Sequence, residues 1–167
     1  MTNLKDSFLA LYPRRANLLA LLLACVAFVG FVDAAYLTIE HYRGVAPTCF
    51  VFTGCESVAR SAWSEIGGIP VALVGSAYYL AVLLLGVLAI EHNNKKLLLV
   101  ASLLAPLGFF ASIFFVYLQL FVIKAICLYC VISAVSSTLL FVISLPVLSA
   151  FFARRETGRY TVRDDQL

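Results

Sequence analysis

The sequence predicts an all-α membrane protein: a four-transmembrane-helix bundle with one long extracytoplasmic loop between spans one and two. Three observations predict it. Of the 167 residues, 63% are hydrophobic and only 13% charged, with a mean hydropathy of +1.00. A water-soluble domain cannot hide so large an apolar fraction. The apolar residues gather in four runs, 16–39, 69–90, 97–123 and 126–152. Each meets the length of about 20 residues that a helix needs to cross the hydrocarbon core. The connections are short except for residues 40–68, a loop that carries polar residues and two cysteines. The whole chain, residues 1–167, reads as a single membrane domain ending in a cytoplasmic tail, 153–167.

The first span is too long and too late for a cleavable signal peptide, and no small-residue cleavage site follows it. Within it, Cys25 reads as a small buried hydrophobe. Asp33, in its outer half, is a carboxyl at a depth where charge is expensive and often functional. The loop opens with the turn-formers Gly44 and Pro47 and reaches Cys49 and then Cys55. Residues 56–63 read as a short amphipathic helix, with Val58, Ala62 and Trp63 toward the membrane surface and Glu56 and Arg60 toward water. Gly67-Gly68-Ile69-Pro70 breaks that helix and starts span two, with Pro70 in the first turn, where proline costs little. In span three Pro106 removes a backbone hydrogen bond and predicts a kink. Gly30, Gly75, Gly86 and Gly108 predict close helix contacts. The fourth span opens on Cys127-Leu128-Tyr129-Cys130.

Charge placement gives the orientation. Lys5, Arg14 and Arg15 precede span one, Lys95 and Lys96 join spans two and three, and Arg154, Arg155, Arg159 and Arg163 follow span four. The two other connections hold only Arg43, Arg60 and Lys124. Positive residues stay on the cytoplasmic side, so both termini are expected there. All four loop and C-x-x-C cysteines then face the opposite side, periplasmic or lumenal, where disulfides form and persist. The net charge of +3 is too small to imply nucleic acid.

A C-x-x-C is the smallest spacing at which two thiols on a helix's first turn open and close a disulfide. With Cys49 and Cys55 on the same side, the pattern suggests a relay between two dithiols. Three other readings compete. Structural disulfides are one, although a C-x-x-C bond closes a loop so short that it stabilises little. A zinc site is another, although the five residues between Cys49 and Cys55 exceed the usual spacing and no histidine lies near the motif. A small-solute channel is the third, although Asp33 is the only acidic residue within the spans.

The order Tyr36-Leu37-Thr38, Cys49, Cys55, Val58, Ser61, Trp63, Gly68-Ile69-Pro70, Gly75 and Cys127-x-x-Cys130 resembles the vitamin K epoxide reductase family over residues 16–150. It looks most like the bacterial branch, the quinone-dependent disulfide oxidases of the inner membrane. An unrelated four-helix quinone-coupled oxidase carries its C-x-x-C in the first half of the chain, whereas here it follows span three. The resemblance implies a bundle that encloses a quinone, ubiquinone or menaquinone, beneath the loop. It implies Cys127 and Cys130 as the active pair, Cys49 and Cys55 as a shuttle pair, and Ser61 as a loop-helix serine that organises the site. Two positions depart from the vertebrate members. Ala134 stands where they have a tyrosine, and Val71 where they have an asparagine, both quinone-bonding groups there. Those absences count against vitamin K epoxide reduction and leave quinone placement to other side chains. Many bacterial members carry a fused thioredoxin-like domain; none fits in this chain, so a separate periplasmic thioredoxin-fold carrier is expected as the partner, beside membrane lipid.

In the expected relay the carrier attacks Cys49, Cys55 then attacks Cys127, and Cys130, a turn deeper, faces the quinone. Several residues keep two readings. Asp33 either assists proton transfer to the quinol or is hydrated, and His41 is solvated or a base. Trp63 anchors in the headgroup belt or covers the quinone. Tyr117 and Gln119 touch the quinone headgroup or only pack, Tyr129 packs between the active cysteines, and Lys124 lowers a nearby thiol pKa or is an interfacial anchor.

Overall fold

A computed structural model describes residues 4–47, 49 and 54–164. Of the helical residues 4–15 and 153–164 only the backbone is described, so most of the charges that argue for cytoplasmic termini lie outside the described side chains. The elements are α1 (Leu4–Tyr42), α2 (Cys55–Ala59), β1 (Glu65–Ile66), β2 (Ile69–Pro70), α3 (Val71–Glu91), α4 (Lys95–Tyr117), a π-helical segment (Leu118–Ile123) and α5 (Leu128–Asp164). Among the described residues, four stretches are long and apolar enough to cross a membrane: Ala16–Tyr42, Val71–Glu91, Lys95–Ile123 and Leu128–Phe152. Around the bundle the order is α1, α3, α4, α5, with α1 and α4 diagonally opposed.

Small residues set how closely the helices approach. On Gly86 of α3 a Cβ would lie 3.3 Å from both the Ala20 carbonyl and the Ala24 Cβ of α1. On Gly30 of α1 it would fall within the ring of Tyr79. Packing of this kind drives helix association where lipid removes the hydrophobic incentive. Leu23, Ala27, Val82 and Leu140 fill the centre. Ser102 and Ser144, wholly buried, donate to the Leu98 and Leu140 carbonyls one turn back at 2.8 Å. The outward faces carry Leu103, Phe110 and Phe121, exposed as lipid-facing residues are.

The structure redraws several expected boundaries. Helix α1 runs past its apolar stretch at both ends, because hydropathy marks the residues in lipid and not where backbone bonding stops. The loop helix covers only Cys55–Ala59, with Arg60 as its C-cap. A two-residue hairpin follows, pairing Glu65 with Pro70 and Ile66 with Ile69. Its turn residues Gly67 and Gly68 have φ of +60° and +81°, the positive values that tight hairpin turns need. Pro70 is therefore the last residue before α3, not in its first turn, and the Val71 N–H donates to the Ser64 carbonyl at 2.9 Å. Pro106 sits inside one continuous α4. Helix α5 starts at Leu128, two residues later than expected, because Lys124 turns left-handed (φ +55°) at the end of the π-helical segment. Cys25 is exposed on α1, not buried; a thiol on the lipid side of a helix is a small apolar group and costs nothing there.

Candidate redox site

The site is built around the break between the π-helical segment and α5. Gln119, only 4% exposed, holds that break from both ends. Its carbonyl accepts the Ala125 N–H at 3.1 Å and its side-chain Oε1 accepts the Cys127 N–H at 2.9 Å. A π-helical turn is uncommon and frequent at functional sites. Here it brings Gln119 within reach of the residue that opens α5.

Cys127 is thus the residue just ahead of α5, and Cys130 lies in its first turn. Both are free thiols, and Cys127 is buried. The Cys127 thiol is lowered to about 7, chiefly by a hydrogen bond from the Cys130 thiol. Burial opposes the shift, and the backbone N–H groups of Cys130 and Tyr129 add to it. This is the anion-stabilising geometry of a helix N-terminus acting on a thiolate. Alkylation of the reduced protein by iodoacetamide is therefore expected to rise with a midpoint near pH 7 at Cys127. An ordinary cysteine has its midpoint near about 8.5. In Cys130→Ala the midpoint should move up. Rate against pH, with the alkylated residue identified by mass spectrometry, checks this, and an unchanged midpoint would remove Cys130 as the cause.

The loop pair arrives at the same place. Cys49 and Cys55 form a disulfide, with Cα atoms 6.0 Å apart, and Cys55 is 1% exposed. Gly54 makes the docking possible. A Cβ there would lie 2.6 Å from the Ile126 carbonyl oxygen and 2.7 Å from its nitrogen. The chain just before Cys55 therefore rests on the backbone just before Cys127.

Beneath the loop lies a cavity of about 600 Å³ with Cys127 and Cys130 in its wall. Asp33, Ser61, Trp63, Val71 and Ala134 line it; Tyr117 does not. Tyr117 is 53% exposed and stacks on Phe121 with centroids 5.0 Å apart. It lies two positions before Gln119, which turns it to the opposite face of the helix. The Ser61 hydroxyl donates to the Val58 carbonyl at 2.8 Å, tightening the turn after α2. Trp63 meets Phe114 edge-on at 6.4 Å. His41 is paired: its Nε2 lies 3.0 Å from Glu65 Oε1, which ties the end of α1 to the hairpin. Tyr129 packs on Tyr36 with centroids 5.0 Å apart.

Sequence reasoning missed the hydroxyl groups of the cavity. Tyr79 donates to the Ser133 carbonyl at 2.7 Å, and Ser112 and Ser137 hydroxyls lie 2.6 Å apart. The signal was the i, i+4 pair Ser133 and Ser137 one turn below the C-x-x-C. Among the described residues, two buried side-chain polar atoms have no partner, Asp33 Oδ2 and Tyr78 OH, and both residues line this cavity.

Four membrane-spanning helices, a dithiol at the head of one of them and a second cysteine pair seated against it define a multi-pass membrane oxidoreductase. The model of the vitamin K epoxide reductase family matches residues 21–145, three quarters of the chain, and the protein belongs to that family. Proteins of this family use quinones as electron carriers and usually work with a thioredoxin-like partner.

Proposed function

We propose that this protein is a quinone-dependent thiol-disulfide oxidase. It reoxidises a separate periplasmic thioredoxin-fold carrier and passes the electrons to ubiquinone or menaquinone in a bacterial inner membrane. In this reading both termini are cytoplasmic and both cysteine pairs extracytoplasmic. One observation carries it: a loop disulfide is seated beside a dithiol that lines a cavity between the helices long and apolar enough to cross a membrane.

The relay balances as thiol exchange. A carrier thiolate attacks Cys49, the Cys49–Cys55 bond breaks, and Cys55 leaves as a thiolate. The carrier's second thiol resolves the mixed disulfide, so the carrier leaves oxidised and the loop reduced. Cys55 attacks Cys127 of the Cys127–Cys130 disulfide and displaces Cys130. Cys49 then resolves the Cys55–Cys127 bond, restoring the loop disulfide and leaving Cys127 and Cys130 as thiols. A bound quinone supplies the acceptor for two electrons and two protons.

The cavity suits such a group. Its volume lies in the range of small-molecule sites, and its two unpartnered polar atoms lack the bonds a ligand with oxygen atoms would complete. Val71 and Ala134 give it apolar wall where epoxide-reducing relatives are expected to place hydrogen-bonding groups, which favours disulfide oxidation over epoxide reduction.

Quinone reduction by the detergent-purified protein tests the reading, with a reduced thioredoxin-fold carrier or a small dithiol as donor. Wild type is expected to turn over with both donors. Cys49→Ala is expected to lose the carrier-driven reaction and keep the dithiol-driven one. A wild-type protein inactive with ubiquinone and menaquinone from either donor would overturn the proposal.

A further inference from the structure

We propose that Tyr78 and Asp33 hold the two oxygen atoms of the bound quinone, Tyr78 as a hydrogen-bond donor and Asp33 as the acid that releases a proton from Oδ2. This assignment rests on the quinone-reducing function above and names the residues that perform it.

Burying a polar atom without a partner is costly, and native proteins rarely leave one. Among the described residues two side-chain atoms stand in that position, and both residues face the one cavity that Cys127 and Cys130 line. Nearby polar side chains are already engaged: Tyr79 with Ser133, Ser112 with Ser137, and Gln119 with the Cys127 N–H. Val71 and Ala134 have nothing to donate. The free hydrogen-bonding capacity of the wall is thus concentrated in Tyr78 and Asp33.

The two come from different walls. Asp33, 8% exposed, reaches in from α1 to the cavity that Cys127 and Cys130 also line. Tyr78 reaches in from α3, its ring laid over Gly108 of α4, where any Cβ would collide with it. The missing side chain at 108 keeps that position open for the tyrosine. Two donors on separate walls of an apolar cavity match a flat apolar ring with a carbonyl at each end, which is the shape of a 1,4-quinone. Asp33 meets no ion pair among the described residues, and a carboxyl buried without one is cheapest as the neutral acid. The neutral acid is a donor. Closing the Cys127–Cys130 disulfide releases two electrons and two protons, the amount that converts a quinone to a quinol. Asp33 passes one proton on from Oδ2 and regains one from a departing thiol, so the carboxyl is unchanged over the cycle.

The chain's single tryptophan, Trp63, lines the same cavity, so its quenching by short-tailed ubiquinone and menaquinone analogues reads binding directly, without turnover. Tyr78→Phe is expected to raise Kd about tenfold, the worth of one buried hydrogen bond. The quinone-free variant should melt no lower than wild type, because the deleted hydroxyl had no partner. Asp33→Asn is expected to keep Kd within about threefold and to lower kcat with a small dithiol about a hundredfold, the scale of lost general acid catalysis. Asp33→Glu should recover part of that rate. Wild-type Kd in Tyr78→Phe together with wild-type kcat in Asp33→Asn would overturn the assignment, as would a Tyr78→Phe that only melts lower. A wild type that neither binds nor reduces quinone would instead overturn the function on which this rests.

Discussion

Cys130→Ser is expected to lose quinone reduction by at least about a thousandfold with either donor, because the pair that must close as a disulfide no longer exists. The variant should also accumulate a covalent Cys55–Cys127 bond. The chain just before Cys55 rests on the backbone beside Cys127, and the backbone N–H groups of residues 129 and 130 still favour the Cys127 thiolate in this variant. With Cys130 gone, the Cys127 thiolate attacks the loop disulfide at Cys55 and displaces Cys49, and alkylating the freed Cys49 before digestion blocks its return attack and traps the link. Proteolysis without reductant, followed by mass spectrometry, identifies the linked peptides. A Cys49–Cys127 link in its place would reverse the order of the loop cysteines, and no link at all would break the relay.

Gly54→Val is expected to lower carrier-driven turnover by tenfold or more, while leaving the small-dithiol reaction within about twofold of wild type. An added Cβ meets the Ile126 backbone at 2.6 Å, and backbone has no rotamer with which to yield. The loop must lift, and Cys55 goes with it. The relay then fails at transfer from loop to helix, while a dithiol that reaches Cys127 and Cys130 directly needs no loop. The two donors measured side by side decide it. An equal loss with both would mean that Gly54 serves the fold and not the transfer.

The bundle was legible because the bilayer imposes one rule on every residue: about 20 apolar positions, whatever their neighbours. The two cysteine pairs were legible because thiols are rare and their spacing is chemistry. What escaped depends on contacts between distant elements. Tyr78 and Tyr79 are adjacent in an apolar run, and nothing local says that one lies over Gly108 while the other lies over Gly30 and bonds Ser133. Tyr117 and Gln119 were indistinguishable as quinone contacts, yet the helix turns the first to lipid and the second to Cys127. The 56–63 pattern suggested a longer helix than forms, because Trp63 turns instead toward Phe114 of α4. The start of α5 is displaced by a left-handed lysine that no propensity would choose.

Gln119 gives the dithiol a mechanical property as well as a position. The Cys127 sulfur caps the first turn of α5 as a partial anion and must surrender that charge whenever it bonds to Cys130 or to Cys55. A helix capped only by its nucleophile would fray once in every cycle. The amide of Gln119 keeps hold of the Cys127 N–H whatever the sulfur is doing, because that bond uses none of the sulfur's electrons. The moving part and the fastener are different atoms of one residue, so the end of the helix can change charge without changing place.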